Sequence, residues 1–226
     1  LYDVNKFVIL QATASRECSF VELLATEAQL PTWFVSHWWG EPVFDFIACL
    51  EMHAKDHRLG TIELGKFVPD DTAVYWVCAY ANNQWKLTEA LTDDPGDTSF
   101  HHAIQLAVGT VSVLDKEGIV FTRVWCGYEI FVTFEDAKPK PAEEDGPKEN
   151  GGPYGDPIWK KGDLVPYKRA VYTALEGVYP LDGNGEEIRS HPIPAVGLTD
   201  GFAPCDHGRS DIKQGRERHF PLKLAQ

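Results

Sequence analysis

Three apolar segments rich in β-branched and aromatic residues constrain the fold most strongly. They are residues 32–36, 73–80 and 110–114, and helical patterns over 44–57 and 125–134 follow the first and last of them. Apolar strands alternating with helices are typical of a parallel sheet with helices on both faces. Segment 73–80 is apolar almost throughout, so it is predicted to be a strand buried on both faces. Right-handed crossovers would place the carboxyl ends of the strands at one edge, where such sheets bind ligands.

The helical segments carry recognisable caps and an apolar stripe. Ser19 followed by Glu22 predicts a capping box, and Thr98 or Ser99 is expected to cap a helix that runs through Leu106. The helix over 44–57 is expected to bury the stripe formed by Phe46, Ile47, Leu50 and Ala54.

The composition predicts one α/β domain with additions. Residues 1–31 are expected to form a helical extension, and residues 32–178 the domain itself, with 170–175 as a further strand. The Pro- and Gly-rich stretch 135–157 reads as an insert. The turn-rich segment 179–226 is expected to be an extended tail that packs on the domain or on a partner.

Charge and cysteine usage narrow the functional classes. The net charge of −13 disfavours nucleic-acid binding, and no apolar run approaches the roughly 20 residues of a membrane span. The five cysteines are odd in number, widely spaced and without a CxxC motif, which indicates reduced and mostly buried thiols. We therefore expect a reducing compartment, either the cytoplasm or an organelle interior. The second would require loss of a targeting peptide, which is compatible with a chain that begins at Leu1.

The first candidate site follows the first predicted strand. It comprises Ser36, His37, Trp38, Trp39, Gly40 and Glu41. Aromatic faces stack on a flat base or nicotinamide ring, and Gly40 allows a tight turn or a close approach to a ligand. The alternative is that Trp38 and Trp39 only seal the end of the core.

The second candidate site lies on the predicted helix after the third strand. Trp125 and Glu129 are four residues apart and share a helix face. If Trp125 faces the rim of the core, Glu129 lies beside apolar surface, and desolvation raises its pKa as suits a catalytic carboxyl. The alternatives are a solvated Glu129 or one paired with Arg123.

The third candidate site follows segment 73–80. Cys78, Asn82, Asn83 and Gln84 would lie where that segment ends. The consecutive amides could either fix a polar ligand or bridge neighbouring loops.

Histidine spacing gives only weak support for a metal. His53 and His57 are four residues apart, but there is no HExxH motif and no third ligand at a recognisable spacing. We expect a solvated helix face and no metal site, so a metal-dependent hydrolase is the weakest functional hypothesis. Gly-rich phosphate-binding loops of the GxGxxG or GxxxxGK type are absent from the sequence.

Three of these segments together resemble TIR domains and the related HET-type domains. Residues 33–41 resemble the opening TIR strand and loop, and residues 111–114 followed by 123–130 resemble a later strand and its Ser-x-Trp-Cys-x-x-Glu-Leu helix. Residues 75–84 are similar to a HET-type strand that ends in Asp-x-x-Cys-x-x-Gln. The resemblance covers about residues 33–134. The chain departs from plant TIR domains at Trp38, where a basic residue is common.

The resemblance implies an open, mostly parallel, flavodoxin-like sheet. Many TIR domains split nicotinamide from NAD, and their catalytic Glu matches Glu129. The loop from Ser36 to Glu41 would hold the nicotinamide side, with Trp125, Cys78, Asn82, Asn83 and Gln84 as further substrate contacts. The first functional hypothesis is therefore an NAD glycohydrolase that uses NAD as substrate and needs no cofactor. The alternative is a non-catalytic scaffold subunit that self-associates or binds protein partners.

Overall fold

The computed structural model describes residues 1–63, 66–70, 73–87, 94–135, 137–142, 160–165, 167–174 and 195–198. Nine strands occur in these ranges: β1 Trp33–Ser36, β2 Gly60–Glu63, β3 Lys66–Pro69, β4 Tyr75–Trp76, β5 Gly109–Leu114, β6 Lys140–Pro141, β7 Leu164–Val165, β8 Lys168–Ala174 and β9 Ala195–Gly197. The α-helices of the same ranges are α1 Tyr2–Val4, α2 Leu10–Thr13, α3 Phe20–Leu24, α4 Val43–Asp56, α5 Cys78–Ala81, α6 Ser99–Leu106 and α7 Val124–Glu135. A π-helical stretch, Asn5–Ile9, joins α1 to α2.

The main sheet has five strands in the order β4-β1-β5-β8-β9. β1 pairs in parallel with both β4 and β5, β5 pairs in parallel with β8, and β9 is antiparallel to β8. The predicted α/β architecture with a mostly parallel sheet is confirmed. The carboxyl ends of β1 and β5 lie side by side, because Ser36 is in register with Ser112.

Helices cover both faces of this sheet. On one face, Trp33 and Val35 pack with Phe46 and Cys49 of α4. On the other face, Phe34 packs in a cluster that includes Ala103 and Ile104 of α6 and Val132 of α7. Alternate residues of a strand point to opposite faces, so β1 contributes to both clusters and its four residues are all buried.

Several local predictions are confirmed. Ser19 and Glu22 form the predicted capping box, and the Thr98 hydroxyl accepts a hydrogen bond from the backbone N–H of His101. The predicted strands at 32–36, 110–114 and 170–175 appear as β1, β5 and β8. Cys49 and Cys126 are buried free thiols, as expected.

The prediction of a long buried strand over 73–80 is wrong. Only Tyr75 and Trp76 form a strand, which lies at the edge of the sheet and is partly exposed, and the chain turns into α5 at Cys78. The Gln84 side-chain amide stabilises this turn, because it lies within hydrogen-bond distance of the carbonyl oxygens of Cys78, Ala79 and Asn82. The Cys78 carbonyl also accepts from the Asn82 N–H, so the amide adds to that bond and offers donors to the other two carbonyl groups at the end of the turn.

Two predictions for α4 also need correction. Ile47 is exposed rather than part of the buried stripe, whereas Phe46 and Ala54 are buried as expected. His53 does not lie on a solvated face: it is fully buried, and its Nδ1 is 2.7 Å from the Tyr75 hydroxyl. The His57 ring stacks on the His53 ring, so this pair serves packing.

Much of the predicted insert and tail falls outside the described residues. Within the insert the structure describes β6, and within the tail it describes β9, which extends the sheet beside β8. The hairpin of β2 and β3 was not predicted from the sequence. Among the described residues, no helix combines the length and the apolar character needed to cross a membrane.

Candidate functional site

A cavity of about 280 Å³ lies beyond the carboxyl ends of β1 and β4. It is lined by Tyr2, His37, Trp38, Trp39, Cys78, Asn82, Gln84, Leu87, Phe100, Arg123, Trp125, Cys126 and Glu129. We call this space the Glu129 cavity. It brings together residues from all three candidate sites of the sequence analysis.

Glu129 is the most unusual group in this cavity. Its side chain is only 5% exposed, and the Ser36 hydroxyl at the end of β1 donates a hydrogen bond of 2.5 Å to its Oε2. Burial raises the pKa of Glu129 to about 8, and the hydrogen bond from Ser36 opposes this rise. The predicted desolvated carboxyl is therefore present, and Ser36 fixes its position.

His37 supplies a neutral imidazole to the lining of the same cavity. The ring is buried, and burial lowers its pKa to about 4. Its Nδ1 is 3.4 Å from the Val35 carbonyl oxygen, and its Nε2 has no hydrogen-bond partner in the described part of the chain. With Nδ1 protonated, Nε2 is an acceptor that a ligand N–H or O–H can satisfy.

The two cysteines of the cavity are poor nucleophiles. Burial raises the pKa of Cys78 to about 12, and burial followed by the charge of Glu129 raises that of Cys126 to about 12. Because the thiolate is the reactive form, both groups stay inert near neutral pH. Cys78 instead accepts a 3.0 Å hydrogen bond from the Trp39 indole N–H, which fixes that ring against the cavity.

Aromatic rings form much of the remaining wall. Trp125 stacks on Phe100 with centroids 5.8 Å apart, and Phe100 packs edge-on against Trp76. Trp76 in turn stacks on the core residue Phe34. This continuous series holds Trp125 in place while part of its surface stays exposed for a flat ligand.

The three amides have different positions. Asn82 and Gln84 line the cavity, although Asn82 accepts from the Ser99 hydroxyl and Gln84 closes the α5 turn. Asn83 lies away from the lining, where it donates to the Glu17 carbonyl oxygen at 2.7 Å. Asn83 therefore bridges loops, which is the structural alternative considered for these residues.

Gly40 and Glu41 also lie outside the lining of the Glu129 cavity. A Cβ at Gly40 would lie 2.2 Å from the Trp38 ring, so glycine permits this close approach. The chain then turns, and Glu41 lines a separate cavity to which Trp38 also contributes.

Sequence reasoning missed several lining residues. Tyr2, Leu87 and Phe100 come from segments distant in sequence, and only the folded chain brings them together. Arg123 was considered only as an ion-pair partner, yet it supplies a guanidinium to the lining. Arg123 precedes α7 in an extended conformation, so helical spacing did not link it to Trp125.

The arrangement combines a buried carboxyl, a neutral imidazole, a guanidinium and aromatic faces. Such a set suits a flat organic ligand that carries both positive and negative charge. Within the described ranges, no group of three or more His, Cys, Asp or Glu residues is placed to hold a metal ion. Comparison with known proteins gives no assignment, because no family model, curated protein or solved structure matches this chain.

Proposed function

We propose that this chain is a TIR-like NAD glycohydrolase with Glu129 as its catalytic carboxylate. The observation that carries the proposal is the buried Glu129 carboxyl, held by Ser36 and open to a cavity with aromatic walls. The strand order supports it too. Counting only the strands of the main sheet in chain order, the sheet reads 2-1-3-4-5, which is the flavodoxin-like order with an antiparallel last strand.

The chemistry follows from the charges. The bond between the ribose C1′ and the nicotinamide nitrogen breaks, and its electron pair leaves with nicotinamide, which becomes neutral. The oxocarbenium-like ribose that remains is stabilised by the Glu129 carboxylate. Water then adds its hydroxyl to C1′ and releases a proton, giving ADP-ribose.

The cavity fits one end of the substrate. Trp39 and Trp125 offer faces for the nicotinamide ring, and the His37 Nε2 can accept from its carboxamide N–H. About 280 Å³ holds the nicotinamide riboside portion rather than the whole dinucleotide. The pyrophosphate would lie toward Arg123, because guanidinium groups recognise phosphate oxygens.

Nicotinamide release from NAD by the purified chain tests the proposal. We expect turnover by the wild type and a loss of at least a hundredfold in Glu129→Gln, with nicotinamide measured by chromatography. Gly127→Ala is the matched control, because it lies on the same helix, is exposed, and has nothing within 4 Å of its added Cβ. Absence of turnover in the wild type, in dilute and in concentrated samples, would refute the proposal, as would full activity in Glu129→Gln.

A specific observation also favours a role in self-association. α7 exposes large apolar side chains, with Val124 at 87%, Phe131 at 57% and Phe134 at 64% exposure. Apolar side chains grouped on one helix are typical of protein contact surfaces. Light scattering after size exclusion tests this second candidate: wild type should be oligomeric and Phe134→Ser monomeric. A monomeric wild type at high concentration would contradict it.

A further inference from the structure

A second cavity, of about 180 Å³, shares Trp38 as a lining residue with the Glu129 cavity. Its lining includes Glu41, Asp45, Asp115 and Glu117 together with Trp38. It lies beyond the carboxyl ends of β5 and β8, since Leu114 and Ala174 also line it, together with Pro42, Lys116 and Thr173. We call it the acidic cavity. None of its carboxylates takes part in the chemistry proposed for Glu129.

Two carboxylate oxygens in this region are buried and have no hydrogen-bond partner among the described residues. Glu41 is only 4% exposed, and its Oε2 has no hydrogen-bond partner in the described part of the chain. Asp115 is similar: its Oδ1 accepts from the Ile119 N–H at 2.7 Å, while its Oδ2 is buried and without a partner among the described residues. Buried acceptors left unsatisfied cost free energy, so these two oxygens would gain from a ligand that donates hydrogen bonds.

The surrounding groups define the chemistry of that ligand. Four carboxyl groups repel phosphates and other anions, so the acidic cavity does not extend an NAD site. No described group of three or more His, Cys, Asp or Glu residues converges as metal coordination requires. The Trp38 ring forms one wall, and organic cations bind favourably over an indole face.

We propose that the acidic cavity binds the guanidinium end of a small organic cation. A guanidinium is planar and carries five N–H donors, which suits a lining that combines the Glu41 and Asp115 carboxyl groups with the Trp38 ring. About 180 Å³ accommodates this group with a short alkyl chain and excludes a nucleotide. The proposal is independent of NAD cleavage.

Binding of a cation in the acidic cavity should be linked to the release of a proton from Glu41. Burial, followed by the charges of Asp115 and Asp45, raises the pKa of Glu41 to about 8, while the amino group of Leu1 lowers it. Lys116 and Glu117 are the other charged groups in the lining. A bound cation favours the carboxylate form of Glu41, so binding near neutral pH releases a proton.

Isothermal titration calorimetry with agmatine tests this inference on the full chain. N-(4-aminobutyl)urea is the matched probe, because it keeps the ammonium end of agmatine and replaces the guanidinium by an uncharged urea of similar shape. We expect one agmatine site per chain, at least tenfold weaker binding of N-(4-aminobutyl)urea, and heats that vary with buffer ionisation enthalpy as a proton is released. Glu41→Gln should weaken agmatine binding at least tenfold, and Gly127→Ala should leave it unchanged.

Asp115→Asn provides a second variant, because an asparagine Oδ1 can still accept from Ile119. It should also weaken agmatine binding about tenfold and keep the thermal unfolding midpoint close to that of the wild type. No agmatine binding by the wild type, equal binding of N-(4-aminobutyl)urea, or unchanged affinity in Glu41→Gln would each overturn the inference. Tighter, Glu41-dependent binding of Mg²⁺ or Ca²⁺ would overturn it in favour of a metal site.

Discussion

Replacing Glu129 by Gln should remove a pH-dependent cost of folding. Burial raises the pKa of Glu129 from 4.5 to about 8 in the native state. Between these two values the native chain holds a proton at Glu129 that the unfolded chain has released. The free energy of unfolding of the wild type must therefore fall as pH rises across this window. A glutamine side chain does not titrate, so the Glu129→Gln variant lacks this contribution.

The magnitude follows from the width of the window. Each pH unit corresponds to about 1.4 kcal/mol for one titrating group. The interval between 4.5 and about 8 thus gives a total on the order of 5 kcal/mol. The hydrogen bond from Ser36 is already included in that pKa, since it opposes the effect of burial. Any constant difference between Gln and protonated Glu shifts the two stability curves without changing their relative slope.

Urea denaturation at several pH values between about 5 and 9 measures this effect. The stability of Glu129→Gln minus that of the wild type should increase by about 1.4 kcal/mol per pH unit and level off above about pH 8. The free energy of unfolding of Gly127→Ala should follow the same pH dependence as that of the wild type, because Gly127 does not titrate. Parallel curves for Glu129→Gln and the wild type would refute the assignment of Glu129 as a desolvated carboxyl.

Other predictions concern activity and packing. If the carboxylate is the catalytic form, kcat/KM for NAD should rise with pH to a plateau above about 8, and a fall over this range would contradict that role. Ser36→Ala removes the hydrogen bond that lowers the pKa of Glu129, so the rise in the same pH–rate profile should move to higher pH; an unchanged midpoint would oppose this. Gly40→Ala places a Cβ 2.2 Å from the Trp38 ring and should cost about 1–3 kcal/mol in urea denaturation, whereas Gly127→Ala should gain up to about 1 kcal/mol. Equal free energies of unfolding for these two variants would show that the Trp38 ring moves aside without an energetic cost.

The sequence predicted the centre of the sheet well because burial there leaves a clear pattern. β1 and β5 are buried at every residue, and both appear in the sequence as short apolar runs. The length of the edge strand β4 was overestimated, because the apolar residues 77–80 look like part of a strand. In the structure the chain turns into α5 at Cys78, and hydrogen bonds from Gln84 stabilise that turn. A side chain that bonds to carbonyl groups two, five and six residues away follows no periodic pattern that would reveal it.

The sequence predicted the parts of the candidate site that depend on local spacing and missed those that depend on tertiary contacts. Spacing placed Trp125 and Glu129 on one helix face, and strand order placed Ser36 at the ligand edge, but only the fold shows the hydrogen bond between Ser36 and Glu129. Tyr2 reaches the cavity from the first helix through its contact with Trp39, which no local pattern could indicate. Glu41 was grouped with the same loop, yet the turn at Gly40 directs it into the acidic cavity.

A crystal structure of Glu129→Gln with NAD would test whether Glu129 lies at the site of nicotinamide release. We expect the nicotinamide ring against the aromatic wall of the Glu129 cavity, with the ribose C1′ beside the substituted side chain. We also expect the pyrophosphate toward Arg123 and no part of NAD in the acidic cavity. Absence of NAD from the Glu129 cavity at saturating concentration, or nicotinamide bound elsewhere on the chain, would refute the role proposed for Glu129.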